Sequence, residues 1–131
     1  MAKKKTDKGK AVDEAKLIAK LRAGYKCEKC PKTKEDGWQM HGAHIIPVGY
    51  NGTAADPDNI LCLCATCHSM GKDSSHQNPI PFSNWFNEKF PGRYDELWQI
   101  AWGYTQNPRP KKDWIQIRKD LKELTKLLTQ G

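Results

Sequence analysis

Apolar residues recur at three- and four-residue steps in several stretches of the chain. Between Asp13 and about Ala23, the residues Ala15, Leu17, Ile18 and Leu21 fall on one helical stripe; Asp13 and Glu14 sit at the end where the helix dipole favours acid, and Gly24 stops the run. A short first helix is predicted. After the breaker run Asn78-Pro79-Ile80-Pro81, Ser83 can cap a helix carrying Trp85, Phe86 and Phe90, which Pro91-Gly92 ends. The next helix puts Leu97, Trp98, Ala101 and Trp102 on its buried side. From Asp113 to Leu128, Trp114, Ile117, Leu121, Leu124 and Leu128 form one stripe, with Arg118, Lys119, Lys122 and Lys126 elsewhere on the circumference. That segment is predicted as an amphipathic helix, its apolar face in the core.

The middle of the chain carries no such period. Pro31, Gly37, Gly42, Pro47, Gly49, Gly52 and Pro57 leave room only for short strands around Trp38–Met40, His44–Val48 and Ile60–Leu63. With 131 residues and 37% hydrophobic positions, the chain is one small domain, and a loop-rich one needs support other than core volume. No apolar run is long enough to cross a bilayer, and the lysine-rich start has no apolar stretch behind it, so neither a membrane nor a secreted protein is expected. There is no internal repeat, Walker loop or dinucleotide fingerprint.

Charge divides unevenly. Residues 1–26 hold nine basic and three acidic side chains, residues 27–81 four and six, and residues 82–131 nine and six, for a total of +7. Basic ends therefore flank a slightly acidic middle, and the excess points to a nucleic-acid partner. Residues 1–12, rich in Lys and without apolar period, are expected as a flexible basic arm, residues 13–91 as the core unit and residues 92–131 as a helical extension.

Five cysteines leave one over from any disulfide framework. Four of them form two knuckles, Cys27-Glu-Lys-Cys30 and Cys64-Ala-Thr-Cys67, separated by 33 residues. Two intervening residues let both thiolates of a pair face one tetrahedral ion, so two knuckles complete a four-cysteine site for structural Zn2+. A redox role for one CxxC would need a thioredoxin-like βαβ unit, which is not evident. Four thiolates leave no open coordination position, so this metal supports the fold rather than chemistry. Cys62, on the apolar run Ile60-Leu61-Cys62-Leu63, is expected as a buried free thiol.

All four histidines, His41, His44, His68 and His76, lie within or just after the span between the knuckles. His68 follows Cys67 directly, so the zinc would fix its backbone. His44 opens the extended run Ile45-Ile46-Pro47. Facing each other, they would make a second, open metal site, with His41 as a third contributor; extra zinc ligation or plain polar roles are the alternative.

The order Cys27-x-x-Cys30, His44-Ile45-Ile46-Pro47, Asp58-Asn59, Cys64-x-x-Cys67-His68 resembles the zinc-containing HNH endonucleases, whose ββα-metal fold is shared by colicin DNases and endonuclease VII. It is most similar to small phage-type HNH proteins, including the NinG recombination nucleases. The resemblance covers about Lys26 to Pro91. It implies an α+β protein: a small ββα-metal (His-Me finger) core with a four-cysteine zinc site, flanked by an N-terminal helix and C-terminal helices. It also implies catalytic residues His44 as general base, Asn59 as the central Asn and His68 as ligand of a catalytic Mg2+ or Mn2+. One departure is Ala43, where the family often has an Asp or His ligand. His41, three positions before the base, is the expected substitute, with His76 and Asp58 as rivals.

The chemistry agrees with that resemblance. Phosphodiester hydrolysis needs an activated water and a cation to neutralise the charge that builds on phosphorus. Neutral imidazole is a suitable base at cellular pH. The expected protein is thus a metal-dependent endonuclease acting on double-stranded or branched DNA in the cytoplasm of a bacterial host, phage-encoded or not. A homodimer is expected if both strands are cut. The competing expectations are a zinc-ribbon module that binds nucleic acid without cutting it, and a structural module of a phage particle.

Overall fold

A computed structural model describes residues 4–71, 74–107 and 111–130. Helix α1 spans Asp7–Arg22, strand β1 Met40–His44 and strand β2 Ile60–Cys64. Helices α2 (Pro79–Lys89), α3 (Arg93–Gln106) and α4 (Trp114–Thr129) follow. The protein is α+β, with a two-stranded antiparallel sheet at its centre.

The sheet is covered on both faces. Its register pairs Met40 with Cys64, Gly42 with Cys62 and His44 with Ile60, so by strand alternation these residues share one face while His41, Ala43, Leu61 and Leu63 share the other. Helix α1 covers the first face through Ala15 and Ala19, packed on Ile60. Phe82, Phe86, Leu97 and Ala101 of α2 and α3 pack with Ala43, Leu61 and Leu63 on the second. Burial on two sides explains why β2 is an unbroken apolar run, Ile60-Leu61-Cys62-Leu63-Cys64, with every residue buried. Cys62 is fully buried among them as a free thiol. Burial and nearby Glu28 push its pKa up to about 12, so it stays protonated.

Several predicted boundaries move, each for a local reason. Helix α1 starts at Asp7 rather than Asp13, because the Thr6 hydroxyl accepts the Gly9 N–H at 3.0 Å and Ala11 and Val12 are buried; the arm expected over residues 1–12 is thus helical from Asp7. The first strand lies between the two predicted pieces, and the obstacle to reading it was Gly42. A Cβ there would stand 2.6 Å from Lys16 Cγ, so the glycine lets α1 lie against the strand. Helix α2 begins within the breaker run: Pro79 and Pro81 occupy its first turn, where a missing N–H costs nothing. Trp102 is 55% exposed rather than buried, since α3 docks through Leu97 and Ala101, with Tyr94 and Trp98 partly buried beside them.

Helix α4 lies along α1. Leu121 packs beside Ala15 and Ala19, and the Thr125 hydroxyl donates to the Glu14 carboxylate at 2.8 Å. No α4 residue is fully buried, and Leu128 is 40% exposed, so only part of the predicted apolar stripe is used. Among the described residues no helix is long and apolar enough to cross a membrane.

Candidate active site

The two cysteine knuckles converge. The sulfurs of Cys27, Cys30, Cys64 and Cys67 all lie within 4.8 Å of one another, with Cys30 and Cys64 3.5 Å apart. Sulfurs placed tetrahedrally about 2.3 Å from a zinc ion stand about 3.8 Å apart, so the donor set fits Zn2+. Among the described residues, these four form the one group of three or more potential ligands that converges so closely. Glu28 ties the first knuckle to the sheet: its N–H donates to the Cys62 carbonyl at 2.9 Å, and its carboxylate accepts the Cys62 N–H at 2.7 Å.

The thiols are electrostatically uneven. Burial opposes ionisation of Cys27, but backbone amides of Cys64, Lys29 and Cys30 outweigh it and bring that thiol down to about 7. Burial pushes Cys30 up, and burial with the neighbouring sulfurs pushes Cys67 up strongly. Four thiolates cannot coexist in this space without a cation between them, which is a second physical argument for a bound dication.

His68 sits on a short π-helical turn, Thr66–Met70, that begins immediately after β2. Its carbonyl accepts from the Ser75 hydroxyl at 2.9 Å and from the His76 N–H at 3.2 Å, which folds the following loop back onto it. The His68 Nδ1 lies 2.9 Å from the Nδ1 of His41, and the His76 ring meets its edge at a centroid distance of 4.5 Å. Burial, then the charges of His76 and His41, hold the His68 pKa down to about 4.

His44 is the last residue of β1. Its Nε2 lies 2.8 Å from the Ala54 carbonyl, which can only accept, so Nε2 carries the proton and Nδ1 keeps the lone pair. Burial first, then the positive charges of Lys16 and Lys8, hold its pKa below the usual histidine value, keeping the ring neutral at cellular pH. Asn59 is fully buried and fixes the loop that carries Ala54. Its Oδ1 accepts the Ile46 N–H at 2.7 Å, and its Nδ2 donates to the carbonyls of Ile46 at 3.0 Å and Thr53 at 3.1 Å.

His44, His68 and His76 line one cleft of about 510 Å³, together with Lys16, Phe82 and Tyr94. Three residues along a strand send His41 to the face opposite His44, yet His41 still reaches His68. Asp58 is not part of the cleft; its carboxylate is paired with Arg22 at 2.9 Å. Ala43 is buried in the core and offers no ligand.

Residues 27–74 match the family model described as HNH endonuclease. This segment is similar to an HNH domain. It runs from the first knuckle cysteine through both strands and past His68, so it contains His41, His44 and Asn59 as well as the complete sulfur cluster. The chain has no match among curated proteins or among solved structures. Two contributors to the site escaped the sequence reading. Lys16 lies outside the HNH segment and was one more lysine on a helix, while the Ala54 carbonyl has no side-chain signal at all.

Proposed function

We propose that the protein is a metal-dependent HNH endonuclease that hydrolyses DNA phosphodiester bonds, with His44 as the general base. The observation that carries this reading is the Ala54 carbonyl on His44 Nε2–H, which leaves an unprotonated Nδ1 beside a cleft shared with His68. His44 removes a proton from a water molecule whose oxygen bonds to phosphorus as the bond to the 3′-oxygen breaks. Solvent returns a proton to that leaving oxygen. Asn59 is a positioning residue: its three bonds hold the loop that presents Ala54.

The residues at the cleft fit a second cation. Two cis nitrogens about 2.1 Å from a six-coordinate ion would stand about 3.0 Å apart, close to the 2.9 Å between His41 Nδ1 and His68 Nδ1. A divalent ion held by His68 and His41 would supply positive charge to the scissile phosphate and to the leaving oxygen. His76, exposed at the edge of His68, is the remaining candidate ligand. Imidazole donors favour a transition-metal ion such as Mn2+ over Mg2+. On the motif order alone, this reading extends to a phage-type enzyme working in bacterial cytoplasm, and to a homodimer where both strands are cut.

The test is plasmid nicking with Mn2+ or Mg2+ by the parent and by His44→Ala. Loss of nicking in the variant with an unchanged melting profile is expected, and full activity would rule out His44 as the base. A second reading, a zinc-stabilised module that binds DNA without cutting it, draws on Ala43 at a common ligand position. DNA binding by a parent that shows no cleavage with any divalent ion would favour it.

A further inference from the structure

Lys8 and Lys16 of helix α1 lie along a groove that reaches the histidine cleft. Lys16 lies across β1 at Gly42, and a side chain at that glycine would strike its stem, with Cβ 2.7 Å from Lys16 Cβ. Held in this way, Lys16 forms part of the wall that His44 and His68 also line. A second groove, lined by Lys4, Lys5, Lys8 and Val12, shares Lys16 and Val48 with the first, so the two run together. Lys8 stands about 12 Å from Lys16 along the helix axis. Lys5 is neutralised by Asp13, whereas neither Lys8 nor Lys16 forms an ion pair among the described residues. Lys8 donates instead to the neutral side chain of Asn51 at 2.6 Å and stands 5.7 Å from the Trp114 ring centre, so no carboxylate compensates its charge. The fields of both cations reach His44.

A linear pair of uncompensated cations leading to a proton acceptor matches the charge pattern of a phosphodiester strand. We propose that Lys16 and Lys8 bind phosphates of the DNA strand to be cut, Lys16 at the cleft and Lys8 further along. Helix α1, outside the HNH segment, then belongs to the substrate site. This deepens the nuclease reading and rests on it for the fate of the strand.

The experiment measures affinity of the zinc-loaded full chain for a labelled duplex oligonucleotide across a range of salt, with no Mg2+ or Mn2+ added. Lys16→Gln and Lys8→Gln keep the methylene stems and remove the charge. Each should lower the slope of log affinity against log salt by about one. Lys16→Arg should retain the parent slope, as should Lys119→Gln on the exposed side of α4. Melting temperature and zinc content identify any variant that fails to fold. Unchanged slopes in both lysine variants, an equal drop in Lys119→Gln, or a parent without salt-dependent affinity would each overturn the proposal. Because no cleavage is required, the outcome is independent of the His44→Ala nicking assay.

Discussion

The sulfur cluster and the histidine cleft are built on the same pair of strands and differ in almost every physical respect. At one end of the sheet Met40 pairs with Cys64, and at the other His44 pairs with Ile60. Cys64 is fully buried and its cluster already holds four donors, whereas His44 and His68 are half-buried and face an open cleft. A saturated donor set can only hold the chain together. An unsaturated one, with a neutral imidazole and uncompensated lysines beside it, leaves room for substrate. In a small protein the first makes the second affordable, because the two strands that carry both sites have only five residues each.

The contrast can be broken at either end. Zinc removal by a chelator, or Cys64→Ser, should have the largest effect: structural zinc contributes about 10–16 kcal/mol, as much as the whole stability of a small domain. Circular dichroism should then lose its cooperative thermal transition. His44→Ala should leave that transition intact while cutting the nicking rate by about 10²–10⁴-fold, the usual worth of a general base. Asn59→Ala joins the two ends, since it strands three buried backbone groups. We expect a loss of roughly 2–4 kcal/mol in urea unfolding together with impaired nicking.

Smaller effects sharpen the picture. Gly42→Ala forces α1 away from the sheet and should cost about 1–3 kcal/mol by urea unfolding, with zinc content unchanged. The smallest effect is on pH dependence. His44 has a lowered pKa in the folded protein, so the unfolded chain binds the proton more readily. Its contribution to stability is therefore full above about pH 6.5, the unfolded value, and is lost as pH falls below that. Lys16 and Lys8 on α1 and His68 beyond β2 all disfavour the charged ring, and the Ala54 carbonyl opposes them. Nicking by the parent should accordingly persist below pH 6.5, and Lys16→Gln should move the acid limb upward.

Legibility in the sequence followed the kind of signal. The knuckles were plain because a two-residue spacing between cysteines has few other uses, and the four sulfurs do converge. Helices α1, α3 and α4 were visible by period, and β2 by its apolar run. Boundaries failed where one residue overrode the pattern: Thr6 extended α1, Pro79 and Pro81 entered a helix rather than preventing it, and Gly42 hid a strand. Burial failed on the outer sides of the C-terminal helices, as at Trp102 and Leu128.

Sequence alone determined the chemistry available: four thiols in two knuckles, four histidines between and after them, an asparagine before β2 and lysine-rich ends. Residue types and short spacings are local properties, and those survive any arrangement of the rest. Only the tertiary structure decided which groups meet. It set His41 against His68 from the strand face opposite His44, gave His44 its tautomer through a backbone carbonyl ten residues away, paired Asp58 with Arg22 outside the cleft, and laid Lys16 over a glycine. Each of these is a contact between separate segments, set by how α1 and the loop close over the sheet, and no periodicity or motif encodes such a distance.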